Sequence, residues 1–455
     1  MDYGSWAPHE TNDGGASLSD ATSAAPAVQE GQSSKRRGPS AVLRSMELDP
    51  RLFGMLVALA VIWIVFNIWS GGTFLSPRNL WNLSVQTAVV GIMATGMVLV
   101  IVTRNIDLSI GSMLAVVGMF MALLQAEWLP KWIGFDHPLT WLITLAAGIA
   151  LGAAIGAFQG SLVAYAGVPA FIVTLGGLLV WRGVAWWMAS GRTIAPMDTN
   201  FQLLGGGSRG TIGGTWTWVL AGVACVGIVL FLVASRRRRQ KFGFTLRPVW
   251  ADITIAIVGC GAVIVSAAVI NSYPMPPALA RQYAEDNGIA WPEGGLEIPL
   301  GLANPVLLLI VVGLVMTFVA TRLSFGRYVF AIGGNPEAAE LSGIKTRWSI
   351  VRVFMVMGIL VAIAAAVSTA RLNAATSGLG QLAELYVIAA AVIGGTSLAG
   401  GIGTIPGAML GALVAQSLQS GMVLIGVDAP VQDIVVGIVL VFAVALDSLY
   451  RRRLT

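Results

Sequence analysis

The residues that usually carry chemistry are scarce in this sequence, and none is arranged for catalysis. It holds two histidines, His9 and His137, and two cysteines, Cys225 and Cys260. A His-based catalytic or metal site is therefore not expected. Both cysteines fall inside apolar runs, so neither a disulfide nor a zinc site is expected. Lysine occurs only at Lys35, Lys131, Lys241 and Lys345. None of them lies in a phosphate-cradling GxxxxGK[ST] loop, so this chain is not expected to hydrolyse ATP. The polar groups that stand out do so by their location. Arg182 lies well inside an apolar run, where a charge is expensive and faces a partner in the interior. Glu384 or Asp433 is the expected partner, in a structural ion pair, with a substrate contact as the alternative role. Asn105-Ile106-Asp107-Leu108-Ser109 interrupts another run, and Gly394–Gly403, "GGTSLAGGIG", a third. Irregular backbone at membrane depth is tolerated only where protein or a watery cavity covers it. Both stretches thus read as gates or path-lining elements, with capping of neighbouring helices as the alternative.

A different kind of signal lies in "AIGGNPEAAELSGIKTRWS", Ala331–Ser349. Asn335 suits an N-cap and Pro336 the first helical position, while Glu337 puts negative charge in the first turn. Ala338, Ala339, Glu340 and Leu341 favour helix, and Gly343 is placed to end it in a left-handed conformation. The result is a two-turn helix, too short to be stable alone. Leu341 and Ile344 offer an apolar edge and Glu337 and Glu340 carboxylates, which suits docking into a cleft on a partner protein.

The elements that must position these residues are membrane helices. Hydrophobic residues make up 56% of the chain and charged residues 11%, with a mean hydropathy of +0.79. A water-soluble surface cannot be built from that composition. Apolar runs of roughly 18 residues or more recur along the whole length, the signature of bilayer spans. About twelve are expected, near 52–70, 83–103, 109–127, 139–165, 169–189, 215–234, 250–271, 304–321, 350–369, 383–398, 404–423 and 430–449. The fold class is all-α, a polytopic membrane protein. Glycine, at 55 residues, suits close helix packing in lipid.

The net charge of +5 is not a nucleic-acid signal, because the basic residues cluster at span ends. Lys35–Arg37, Arg236–Lys241, the group from Arg322 to Arg352, and Arg451–Arg453 are separated by even numbers of spans. All four clusters then lie on the cytoplasmic side, as do both termini. The loop Asn271–Ala303 faces outward, and carries Glu285, Asp286, Glu293 and Glu297 against Arg281. Residues 1–45 are rich in Ser, Ala, Gly and Asp without periodicity and read as a disordered cytoplasmic tail. No apolar h-region precedes Leu52, so no cleavable signal peptide is expected. "GAAIGAFQGSLVAYAGVPA" from Gly152 echoes "GALVAQSLQSGMVLIGVDA" from Gly411, and "SIGSMLAVVG" near Gly111 echoes "TIPGAMLGAL" near Gly407. Such echoes point to an internal repeat with a path at the repeat interface.

At this point the residues carry a resemblance. Glu337–Gly343, "EAAELSG", is similar to the Glu-Ala-Ala-x-x-x-Gly loop of permease subunits of ABC importers. Gly96–Ala115, Val168–Val184, Phe325–Ile344 and Ala383–Thr404 resemble, in order, the ribose/xylose/arabinose branch of those permeases. The resemblance runs from about Leu52 to Arg452, and the extra apolar pair near 215–234 and 250–271 is similar to xylose-type permeases. The outward loop Tyr273–Gly301 departs from them by its length, which leaves the sugar open.

The resemblance implies a type II-like importer permease with a first half over 46–205, an extra helix pair with outward loop over 206–303, and a second half over 304–455. Residues 335–344 would be the coupling helix: Asn335, Glu337, Ala338, Ala339, Glu340, Leu341, Gly343 and Ile344 would meet the ATPase. It further implies an ABC ATPase subunit of the tandem sugar type that binds ATP and Mg, a sugar-binding protein, a second permease copy and a bacterial inner membrane. The chain itself would hold no cofactor.

A permease that passes sugar on must bind it weakly, through scattered hydroxyl and amide groups that exchange hydrogen bonds at little net cost. The candidates are Gln86, Thr87, Thr95, Asn105, Asp107, Ser109, Thr174, Gln381, Glu384 and Tyr386, with Gly394, Gly395, Gly400 and Gly401 as gate-like glycines. Interhelical hydrogen bonding is the alternative role for each. Trp181, Trp186 and Trp187 could stack on a sugar or anchor the chain at a membrane interface. Two other functions compete: an importer permease for ribose, fructose, galactose, inositol or a nucleoside, and an ion-coupled secondary sugar transporter.

Overall fold

The computed structural model describes residues 50–286, 288–292 and 294–452, all within one compact unit. The tail expected over residues 1–45 lies outside the described residues. The helices are α1 (Pro50–Trp69), α2 (Pro77–Val102), α3 (Ile110–Leu123), α4 (Thr140–Ala164), α5 (Ala170–Ala189), α6 (Gly213–Lys241), α7 (Val249–Asn271), α8 (Pro277–Asp286), α9 (Asn304–Arg322), α10 (Ser324–Gly334), α11 (Pro336–Leu341), α12 (Thr346–Leu372), α13 (Ala383–Ile393), α14 (Ile405–Leu424) and α15 (Ala429–Arg452). Among the described residues no strand forms beyond isolated bridges.

Ten helical stretches among the described residues are long and apolar enough to cross a bilayer, one of them α3 continued through a π turn at Leu124–Trp128 to Ile133, and two shorter apolar segments, Ala383–Ile393 and Ala429–Phe442, accompany them. Each of the expected spans coincides with one of these. The stretch expected over 383–398 is helical only through Ile393, because Gly394 and Gly395 end it, Gly395 at φ +85°. Starts follow local chemistry. Ser76 caps α2 ahead of Pro77, and Thr404 caps α14 by accepting from the Gly407 amide at 3.2 Å.

Burial sorts the helices into an inner and an outer set. The most apolar stretch of α2 is 89% buried, and that of the still more apolar α7 only 6%. α2, α3 and α12 form the centre, while α6 and α7 pair with each other and turn the rest of their surface outward, as lipid-facing helices do. Cys225 and Cys260 sit where α6 and α7 meet, each thiol 3.8 Å from the other residue's carbonyl oxygen, and both are free. Arg236 and Asp252 join the two helices at 2.6 Å.

Small residues bring the inner helices into backbone contact. On α4, Gly148, Gly152, Gly156 and Gly160 recur every four residues and form one face. A Cβ at Gly152 would overlap the Gly358 carbonyl of α12, and one at Gly156 the Phe354 carbonyl. The echo from Gly152 to Gly411 has a backbone counterpart: α4 and α5 are joined through Gly167 at φ +70°, α14 and α15 through Gly426 at φ +76°. The echo between Gly111 and Gly407 sets α3 against α14 at a different offset and falls outside that pairing.

Candidate functional site

The short helix at Pro336–Leu341 forms as its residues dictate. Asn335 Oδ1 accepts from the Ala338 amide at 3.1 Å, closing the N-terminus. At the other end the Ile344 amide donates to Ala339 O at 3.1 Å and the Gly343 amide to Glu340 O at 2.9 Å, with Gly343 at φ +82°. That is a complete Schellman closure, which satisfies the last carbonyls without outside help. Ala339 is the buried anchor, while Glu337, Ala338 and Glu340 are exposed. Leu341 is 90% exposed. The exposed leucine thus stands on a doubly capped helix beside two exposed carboxylates.

The second constellation lies inside the bundle, where two unwound segments meet. One, residues 103–109, joins α2 to α3; the other, 373–382, joins α12 to α13. Both contain non-glycine residues in the left-handed region, Arg104 at φ +62° in the first, Asn373 at φ +52° and Leu382 at φ +59° in the second. They touch at glycines: a Cβ on Gly111 would overlap Gly380 O and Glu384 Oε2. The first turns of α3 and α13 therefore come together with two buried carboxylates, Asp107 and Glu384, near them.

Asp107 is tied down locally. Its Oδ1 accepts from the Ser109 hydroxyl at 2.6 Å and the Ser109 amide at 2.9 Å. Ser109 Oγ also lies 3.1 Å from Gln159 Oε1 on α4. Gln159 Nε2 and Trp181 Nε1 are buried without partners, and both face Gly177. Turning the Gln159 amide over would give Ser109 a donor and bring an acceptor to the Trp181 side. Thr174 Oγ1 reaches Ile106 O at 3.2 Å and Ala170 O at 2.9 Å. Glu384 Oε2 has no partner.

The ion pair expected for Arg182 does not form. Its Nη1 donates instead to Ser377 O at 2.8 Å and Leu379 O at 2.7 Å, and neither Glu384 nor Asp433 is within salt-bridge distance. The physical reason is the unwound segment itself. Its carbonyls lack helical partners, and a guanidinium with several donors can satisfy two of them at once.

Of the other expected residues, Asn105 and Gln381 lie on the two crossing segments and Tyr386 on the first turn of α13, whereas Gln86, Thr87 and Thr95 lie on α2. Thr87 and Thr95 bond carbonyls of their own helix, Leu83 O and Ile92 O, both at 2.7 Å. Asn105 bonds Thr103 O at 3.0 Å. Tyr386 is buried and Gln381 exposed. Gln86 belongs to a separate polar strip, where Gln416 Nε2 donates to Gln86 Oε1 at 3.1 Å and to Gln419 Oε1 at 2.9 Å. Gln159, Gln416 and Gln419 are polar groups to which the sequence alone assigns no role. Their only signal is an uncharged amide inside an apolar helix.

The glycines fall into two contacts. Gly394 packs against Gly407 at the start of α14, where its Cβ would be 2.5 Å from the Gly407 carbonyl group. Gly400 and Gly401, at φ +87° and +75°, lie against the end of α2, and the Gly401 amide donates to Val102 O at 3.0 Å.

The described residues thus present an exposed, doubly capped helix and a buried polar crossing of two unwound segments. The family described as "Branched-chain amino acid transport system / permease component" matches residues 79–444, and the chain belongs to this family of transport-system permeases. It is thus an integral membrane translocation component. It is 37% identical over 416 residues to the xylose transport system permease protein XylH of Haemophilus influenzae, covering 90% of this chain and 99% of that one. XylH of Escherichia coli strain K12 is also 37% identical, over 90% of this chain and 94% of its own length. The ribose import permease protein RbsC of the same strain is 32% identical over 393 residues, 86% of this chain and 92% of RbsC. No solved structure matches the chain.

Proposed function

We propose that this chain is the membrane subunit of an ATP-driven importer that moves xylose or a related monosaccharide across the bacterial inner membrane. The observation that carries the reading is identity of 37% along 90% of the chain to xylose transport permeases, against 32% along 86% of it to a ribose permease. In this reading an extracytoplasmic binding protein delivers the sugar. A separate ATPase, of the tandem sugar type, binds ATP and Mg and docks on Asn335–Ile344. A second copy of the permease completes the path, and both termini face the cytoplasm.

The geometry suits such a division of labour. α11 is closed by its own caps, so it can press on a partner without unravelling. The crossing of residues 103–109 and 373–382 is built from unwound backbone and buried polar groups, whose hydrogen bonds exchange at smaller cost than those of a continuous helix. Asp107, Ser109, Thr174 and Glu384 lie at that crossing and are assigned the passage of sugar hydroxyls. Gln86 is assigned to a second polar strip, with Gln416. Weak, replaceable contacts are what release into the cell requires.

The test is purification of the tagged chain from its native membranes with identification of its companions. An ABC ATPase and a sugar-binding protein that holds xylose are expected. A binding protein loaded with ribose or another monosaccharide would move the substrate within the class. A chain that purifies alone and moves sugar without ATP would replace the importer by a secondary transporter.

A further inference from the structure

The contacts around Arg104 define a joint that the function described above does not by itself require. Arg104 follows the last turn of α2 and holds a left-handed backbone, φ +62°. Glycine would adopt that conformation with less strain. What arginine adds is reach. Its Nε donates to Gly333 O at 2.9 Å and its Nη2 to Gly334 O at 2.8 Å. These are the last carbonyls of α10, which have no partner within their own helix. The guanidinium therefore caps α10 from a different element, with a charge suited to a helix C-terminus. The next residue is Asn335, the cap of α11.

A third element closes on the same spot. A Cβ on Gly400 would lie 2.5 Å from Arg104 Cγ, 2.8 Å from Gly333 O and 2.9 Å from Val102 O. The Gly401 amide bonds Val102 O at 3.0 Å, and a Cβ on Gly333 would overlap that same carbonyl. The elbow ahead of α11, the end of α2 and the loop between α13 and α14 thus meet backbone to backbone. From there two short chain segments lead inward: residues 103–109 to Asp107 and Gly111, and Gly394 back into α13 and Glu384. Both arrive at the polar crossing.

Resting on the importer reading above, we propose that Arg104 is a positioning residue for transport, locking the elbow before the coupling helix to α2 and to the Gly400–Gly401 loop so that these parts move together. If Arg104 only capped α10, its loss would weaken the fold and leave coupling intact. In the joint, its loss lets the docked helix move without dragging the crossing.

The experiment uses the complete importer in proteoliposomes, with permease, ATPase and binding protein. It reads D-xylose taken up per ATP hydrolysed, together with the ATPase retained on purification. R104A is expected to keep the ATPase at the wild-type ratio while uptake per ATP falls at least fivefold. R104K, with a charge but no planar fork, should recover less than half of the loss. G334A, whose Cβ meets nothing within 4 Å, should behave as wild type. Unchanged uptake per ATP in R104A overturns the joint. So does loss of transport in step with loss of bound ATPase, which would make Arg104 an assembly residue. A wild-type importer with no ATP-dependent uptake overturns the importer reading and the joint with it.

Discussion

Leu341→Ala is the most discriminating single change at α11, because the structure separates the proposed effect on docking from any effect on folding. Leu341 is 90% exposed, and α11 is held by Asn335, Gly343 and Ile344 rather than by this side chain. Alanine is also the best helix former, so the helix itself should not suffer. The substitution removes three carbons. At about 0.8 kcal/mol per buried CH2, full burial against the ATPase makes the loss about 2.4 kcal/mol, and burial of half the side chain about 1.2 kcal/mol. With a tenfold change in affinity for each 1.4 kcal/mol, the dissociation constant should rise roughly 7-fold to 50-fold. The assay is titration of labelled ATPase onto the permease in nanodiscs, with thermal unfolding of the permease alone as the control. A Kd within twofold of wild type at unchanged Tm would refute the assignment of this surface. An unchanged Kd with a lowered Tm would show that Leu341 serves the fold instead.

Three further outcomes follow from the same geometry. Gly156→Val places a side chain against the Phe354 carbonyl and should abolish accumulation in the membrane, while Gly183→Ala, with nothing within 4 Å of its Cβ, should accumulate normally; immunoblots of membrane fractions decide this. Arg182→Ala leaves the partly buried Ser377 and Leu379 carbonyls without this donor, at the lower end of about 1–3 kcal/mol per group, so the melting temperature and reconstituted uptake should both fall, and a wild-type rate at an unchanged melting temperature would contradict the role given to this side chain. Glu337→Lys reverses an exposed charge in the first turn of α11; uptake should separate from ATP hydrolysis while the protein stays in the membrane, and coupled transport at the wild-type rate would remove Glu337 from the docking surface.

The length and order of the membrane helices, and the caps of α11, were legible because they are local. A run of apolar residues and the Asn-Pro-Glu…Gly pattern act through neighbouring residues alone. Which helices lie inside was not legible. α2 and α7 have similar hydropathy, 2.2 and 2.6, yet one is central and the other peripheral, since lipid and protein interior reward the same composition. The partner of Arg182 was misread for a related reason. Charge suggested a carboxylate, but the unwound segment before α13 supplies bare carbonyls, and that segment exists only once α12 and α13 are placed. The expected path residues scattered because a hydroxyl on a helix can bond back to its own turn, as Thr87 and Thr95 do, and sequence does not say which way it points. Gln159 was passed over because an uncharged amide lacks the cost that made Arg182 conspicuous.

The central claim is that ATP, acting through another subunit, drives sugar through this chain. The most direct measurement is uptake of D-xylose into proteoliposomes that hold the permease with its ATPase, assayed with and without ATP on the ATPase side and with and without the binding protein outside. Uptake that needs both, and that continues when ion gradients are collapsed, is the predicted result. Uptake that proceeds without ATP and stops when a proton or sodium gradient is dissipated would contradict it.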